Sequence, residues 1–163
     1  MVIRERTPVD DGEIRHLNDT AFGGADESTL IEDLRAAGLA AIELVAVDPS
    51  VNGHILFSVL DVTVDDVSVR ALALAPMAVQ PHLQRRGIGA ALVHAGLGRA
   101  RERDWRAIIV VGHPDYYPRF GFSASLARHL ASPFSGDAFM ALELVPGALK
   151  GGAGRVVYPS AFG

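Results

Sequence analysis

The chain has 163 residues, with 15 basic side chains against 19 acidic ones, a formal net charge of −4 and no cysteine. That length suits one domain with its own core, here over residues 1–163, and the acidic balance argues against a nucleic-acid partner. The missing cysteines exclude disulfides, thiolate metal sites and an acyl-cysteine intermediate.

Residues 2–7 alternate weakly and read as a strand. Pro8-Val9-Asp10-Asp11 is a helix start with carboxylates in its first turn, and the helix runs to Phe22. Gly23-Gly24 breaks it, and Asp26-Glu27-Ser28 opens a second helix with an apolar stripe of Leu30, Ile31 and Leu34, ending near Gly38. Strands are expected over 42–47, then over 54–64 after a turn at 48–53. Asp65-Asp66 marks the next turn, and 67–79 is a further strand. A helix over 87–103 would line up Ile88, Leu92, Ala95 and Arg99 on one side. A strand over 107–111, a short tyrosine-rich helical segment, strands near Phe122 and over 139–144, a glycine-rich loop at 147–154 and a last extended piece at 156–159 complete the chain. That order predicts an α/β or α+β fold, one mixed sheet with helices on both faces.

No apolar run approaches a membrane span, and Met1-Val2-Ile3-Arg4-Glu5-Arg6 lacks the apolar core of a signal peptide. A cytoplasmic protein with no membrane partner is the expectation.

The most informative stretch is Met77-Ala78-Val79-Gln80-Pro81-His82-Leu83-Gln84-Arg85-Arg86-Gly87-Ile88-Gly89-Ala90. A strand meets a basic turn, two glycines one residue apart, and a helix. Glycines let amide N–H groups turn toward an oxyanion, and a helix N-terminus adds about half a positive charge. A dinucleotide fingerprint would need a third glycine where Leu92 stands and an acidic residue after the strand at 107–111, and it has neither. A Walker loop needs Gly-Lys-Ser/Thr, and the only lysine is Lys150. Arg85, Arg86, Arg99, Arg101, Arg103 and Arg106 make the middle basic, against an acidic first third. The basic part suits a cofactor phosphate; the acidic part suits either an amine or simply solvated helix faces.

Gln84-Arg85-Arg86-Gly87-Ile88-Gly89 is a Gln-x-x-Gly-x-Gly run, and Tyr117-Pro118-Arg119-Phe120-Gly121-Phe122 is a Tyr-x-x-x-Gly-Phe segment. With these two motifs in this order the sequence resembles the GNAT superfamily of acyl-CoA-dependent N-acyltransferases. The longer phrase Gly112-His113-Pro114-Asp115-Tyr116-Tyr117, continued by Asp137-Ala138-Phe139-Met140, is similar to its YhbS-like branch. The resemblance spans residues 3–162. It implies a GNAT-type fold: a central, mostly antiparallel sheet in which two parallel strands, here 72–79 and 107–111, splay to admit the pantetheine arm. It implies acetyl-CoA or coenzyme A as co-substrate and no metal. Gln84, Arg85, Arg86, Gly87, Ile88, Gly89 and Ala90 would form the pyrophosphate cradle, and Met77, Ala78 and Val79 would meet the pantetheine through their main chain. Dimers are frequent in the superfamily, so a homodimer is compatible with it. Family members typically carry an asparagine seven residues before the tyrosine; here that position is Val110.

Acyl transfer to an amine needs a neutral nucleophile, yet an alkyl ammonium is less than about one part in a thousand neutral at pH 7. It also needs a donor for the carbonyl oxygen and a proton for the departing thiolate. Tyr117, four residues before Gly121, matches the family's acid; the adjacent Tyr116 is its alternate. Pro76 lacks an N–H and suits a place where regular strand pairing stops. His113 is a possible base, and His54, sharing a strand face with Ser58, a weaker one. The substrate side is expected around Phe22, Gly23 and Gly24 and near 134–139. With no cysteine, direct attack on the thioester by a small-molecule or protein amine is the economical route. A catalytically silent acyl-CoA sensor of the same fold is the alternative.

Overall fold

The computed structural model covers residues 1–163, which form two compact units: Met1–Ser58 with Ala75–Arg99, and Val59–Leu74 with Ala100–Gly163. Strands β3 (Val51–Val64) and β4 (Val67–Val79) are neighbours joined by a tight turn, and each runs through both units.

In the first unit β1 (Val2–Glu5) lies antiparallel to β2 (Ala40–Val47), with Val2 opposite Val47 and Glu5 opposite Leu44. The first half of β3 pairs on the other side of β2, from Ala40 opposite Ser58 to Val47 opposite Val51. A bulge between Ala46 and Val47 and a hydrogen bond from Asp48 N to Ser50 O at 2.9 Å close this hairpin tightly. The strand therefore starts at Val51, inside the stretch the sequence reads as turn.

Helices α1 (Asp11–Phe22) and α2 (Asp26–Ala36) form where their start and stop signals place them. Gly23 ends α1 in the left-handed region at φ 73°, its N–H donating to Asp19 O at 2.9 Å. Ile14, Leu17, Ile31 and Leu34 are fully buried, each stabilising by about 1.5–3 kcal/mol. Leu30 is only half-buried.

Helix α3 (Ile88–Glu102) buries Leu92, Val93, Leu97 and Ala100. This side of the helix makes a close approach of backbone to ring. A Cβ on Gly96 would stand 2.1 Å from Phe57 Cε1, so the side carrying Gly96 is the side that can meet β3.

In the second unit Asp65 (φ 49°) and Asp66 (φ 64°) make the turn between β3 and β4, both left-handed as a twist-matched two-residue hairpin requires. The Asp65 carboxylate accepts from the amides of Gly152 (3.1 Å) and Ala153 (3.0 Å). β4 runs parallel to β5 (Ala107–Val111), and β5 antiparallel to β7 (Phe139–Glu143). The second half of β3 pairs antiparallel with β8 (Gly154–Val157), which also takes β6 (Leu130–Ala131) in parallel. The core comprises Leu60, Val62, Ile109, Leu130, Phe139 and Leu149 with their neighbours.

The fold is thus the expected α/β mixed sheet, antiparallel ladders around a parallel β4–β5 pair. That parallel ladder ends after Ala73 opposite Ile109, although β4 continues to Val79 and β5 to Val111. Pro76 lies in this later part of β4, past the last β5 pairing. One expected strand is absent. After Phe122 the chain makes only a single bridge, Ser123 with Ala141, and turns into the short helix α4 (Ala124–Ala127). Ser123, extended and preceding a small-residue run, supplies a helix start that ends the pairing.

Candidate active site

In the first unit the end of β4 is tied down by Gln80 N donating to Asn52 O at 2.9 Å. A 3-10 turn, Pro81–Leu83, follows, and two left-handed residues reverse the chain, Arg85 at φ 64° and Gly87 at φ 87°. The first bond within α3 runs from Ala91 N to Gly87 O at 3.0 Å. The amides of Ile88, Gly89 and Ala90 are therefore the donors that a helix start cannot satisfy internally. Together with the dipole they make a place for an anion. At Gly87 it is φ, not space, that demands glycine: a Cβ there would meet nothing within 4 Å. Arg85 adopts the same region with a side chain and bears the strain.

Arg85 and Arg86 are exposed, in keeping with a basic rim. Gln84 is also exposed, and its Nε2 donates to Val79 O at 3.3 Å, which closes the turn on the strand. Ala78 is buried, and Met77 and Val79 are half-buried.

In the second unit Tyr117 opens a 3-10 turn, Tyr117–Phe120, closed by Gly121 at φ 100°. The His113 carbonyl accepts from the amides of Tyr116 (3.1 Å) and Tyr117 (3.3 Å). That is the structural work of His113; its imidazole is exposed. The Tyr117 ring is 9% exposed and boxed by Tyr116 (centroids 5.2 Å apart), Phe122 (5.7 Å) and Phe120 (6.3 Å). Its edge lies over Gly112, where a Cβ would sit 2.4 Å from Tyr117 Cε2. Burial, reinforced by Tyr116, pushes the Tyr117 phenol up to about 12. It is therefore protonated at neutral pH, as a proton donor must be. Tyr116 is half-buried, held by the Arg119 guanidinium 4.4 Å over its ring. Val110 is buried inside β5 opposite Met140.

Phe22 is 44% exposed, and Gly23 and Gly24 both donate to Asp19 O, so the Phe22-Gly23-Gly24 loop caps α1. The acidic first third is largely paired within itself: Arg4 with Asp10, Arg6 with Asp11, Arg15 with Glu32, and Arg35 with both Asp11 and Glu43. Asp26 and Asp33, on α2, are exposed.

His54 does not face solvent. It is fully buried, with Nε2 donating to Glu43 Oε2 at 2.8 Å. The Asn18 side-chain amide donates to Ile14 O at 2.9 Å, which sets its orientation, and the same nitrogen lies 3.3 Å from His54 Nδ1. Arg35 makes a two-point contact with Glu43, at 3.0 and 2.6 Å. Burial works against ionising Glu43, but hydrogen bonds from His54 and Arg35 prevail and hold it at about 2. No local motif announces this network, whose members come from α1, α2, β2 and β3. No group of three or more His, Asp and Glu side chains is placed to hold a metal ion, and no helix is long and apolar enough to cross a membrane.

Comparison with known proteins agrees with this geometry. Residues 3–125 match the acetyltransferase (GNAT) domain. The chain is 33% identical to the uncharacterized N-acetyltransferase YhbS of Escherichia coli, over 99% of this chain and 98% of that one. The crystal structure of E. coli YhbS in complex with CoA superposes with a TM-score of 0.89, at 32% identity, covering 99% of this chain and 91% of that chain. A GNAT family acetyltransferase from Brucella melitensis in complex with acetyl-CoA gives a TM-score of 0.82, also at 32% identity, covering 99% and 97%. The chain belongs to the GNAT acetyltransferase family, and is an acyl-CoA-dependent N-acyltransferase.

Proposed function

We propose that the protein transfers an acetyl group from acetyl-CoA to a primary amine of a small molecule or protein, by direct attack in a ternary complex, and that residues 1–163 act as one GNAT domain. The observation that carries this reading is the start of α3: a glycine at φ 87° followed by amides with no partner inside the helix. A coenzyme pyrophosphate fits that donor set, with Arg85 and Arg86 adding charge at the rim. The amides of Gly87, Ile88, Gly89 and Ala90 hold it, and the main chain of Met77, Ala78 and Val79 takes the pantetheine amides. Relatives 32% identical were solved with CoA and with acetyl-CoA, which supports the same co-substrate here.

The bound thioester supplies an activated acetyl group. With no cysteine to be acylated, the amine attacks directly. A carbon–nitrogen bond forms, the carbon–sulfur bond breaks, and the nitrogen loses its proton to a base, for which His113 is the candidate. Tyr117 holds the proton that the departing sulfur needs at its Oη, and Tyr116 is its alternate. The Phe22-Gly23-Gly24 loop meets the amine.

Thermal melting with CoA, acetyl-CoA, NADH and ATP in parallel tests the co-substrate. At about a hundred times its dissociation constant a ligand stabilises by about 2.7 kcal/mol, a shift of several degrees. The expected result is a rise with the two CoA compounds alone, together with thiol release when acetyl-CoA meets a panel of primary amines. A melting point indifferent to CoA would end this reading; binding without thiol release would favour a silent sensor.

A further inference from the structure

Two contacts from one end of β3 reach the two ends of the cradle. Asn52 offers its carbonyl to Gln80 N at 2.9 Å, where the chain leaves β4. Its neighbour Gly53 sits under the first turn of α3, where the chain enters the helix. A Cβ at position 53 would stand 2.9 Å from Ile88 Cγ2 and 2.9 Å from Leu92 Cδ1, with Ala46 Cβ 3.4 Å away. Gly53 is not among the glycines with positive φ, so glycine is needed there for space alone. Leu92 Cδ1 is the end of a flexible side chain and can turn aside. Ile88 Cγ2 is only one bond from Cβ, and a β-branched side chain has few χ1 rotamers to turn into. A side chain at 53 therefore presses on Ile88 one bond from its Cβ, and the Ile88 amide is one of the cradle donors. On the other flank, Gly53 is held opposite Ala46 in the β2–β3 register, so the strand cannot easily yield instead.

We infer that Gly53 is a positioning residue for the coenzyme cradle: its missing side chain sets the place of Ile88 while the Asn52 carbonyl fixes Gln80, so the β2–β3 hairpin holds both ends of the loop. This inference rests on the acetyl-CoA reading above and names a residue that acts through Ile88 without touching the coenzyme itself.

The test is calorimetric titration with coenzyme A of the whole chain as wild type, Gly53→Ala, Ile88→Ala, Gly53→Ala/Ile88→Ala and Gly98→Ala. Circular dichroism and melting of each unliganded variant run alongside. Gly98→Ala is the control, since a Cβ on that residue of the same helix meets nothing within 4 Å. Gly53→Ala should bind CoA about tenfold more weakly, the size of one lost hydrogen bond to a charged group, while remaining folded at the assay temperature. Adding Ile88→Ala should restore affinity to that of Ile88→Ala alone, and Gly98→Ala should bind as wild type does. If Gly53→Ala only lowers the melting point and leaves affinity intact, Gly53 is a packing residue and the inference falls. Should Gly53→Ala be insoluble, the double variant decides. A folded, CoA-binding double variant supports the inference; one that is insoluble, or that binds more weakly than Ile88→Ala, overturns it. Failure of wild type to bind CoA would remove the acetyl-CoA reading and this inference with it, whereas equal binding by wild type and Gly53→Ala removes only the inference.

Discussion

The first unit presents backbone amides at the start of α3 and, in its α1–α2–β2 region, a set of ion pairs; the second presents a phenol boxed in aromatic rings. Around the cradle, geometry comes from left-handed residues at Arg85 and Gly87 and from a glycine-backed helix contact. Elsewhere in the unit, acids pair with Arg4, Arg6, Arg15 and Arg35. Around Tyr117, position comes from edge-to-face contact with Tyr116 and Phe122, and burial raises the phenol further above its ordinary range. The difference teaches which substitutions are clean. A side chain that carries chemistry can be replaced atom for atom, but a backbone donor can be altered only through the conformation that aims it.

The largest effect expected is in the second unit. Tyr117→Phe keeps the ring and removes only the proton, so kcat should fall by about 10²- to 10⁴-fold, with the KM for acetyl-CoA nearly unchanged. Steady-state kinetics read both numbers; an undiminished kcat transfers the role to Tyr116 or to water. In the first unit Glu43→Gln breaks a buried pair and should cost about 3 kcal/mol in urea denaturation. Its sign with pH follows from the depressed value of Glu43. The stabilisation is complete above the unfolded carboxylate range and is lost as pH falls through the folded value of about 2. Stability of the wild type should therefore decline from about pH 4.5 downward, and Glu43→Gln should flatten that decline. An identical acid limb in the variant would assign it to other carboxylates, with Asp10 the first candidate because the Arg4 guanidinium, against the opposing effect of burial, holds it well below its usual range.

A smaller effect separates conformation from contact. Gly87→Ala meets no atom but must hold a left-handed φ, which costs about 1–2 kcal/mol. Coenzyme affinity should fall with it, because the residue aims the first amides of α3; retained affinity with full loss of stability would make φ a folding matter alone. The smallest effect runs the other way. Gly98→Ala, inside α3 with open space for its Cβ, should stabilise by up to about 1 kcal/mol by thermal melting.

Gly87 was legible from the chain because a glycine between a basic turn and a helix start answers to a local requirement, a positive φ. Tyr117 was legible through its fixed distance to Gly121, which also closes its turn locally. For His54 the sequence leaves a weak candidate base beside the commoner structural role of a lone strand histidine, and its burial fits the structural one. A histidine on a strand looks the same in sequence whether its partners are water or Glu43 and Asn18, which arrive from distant segments. Which side of α3 is buried is equally absent from the local pattern: it includes Gly96, whose missing side chain leaves room for Phe57.

Length, composition and short-range pattern by themselves determined the mixed α/β class, the position of most elements, and the two motifs that carry the family resemblance, because caps, turns and period-two or period-3.6 alternation are local physics. Tertiary structure alone decided the pairing of the acids with arginines, the burial that raises Tyr117, the replacement of a strand by a single bridge after Phe122, and the reason position 53 must be glycine. Each of these depends on which distant backbone or side chain comes within a few ångströms, and that is set by packing, which no window of sequence contains.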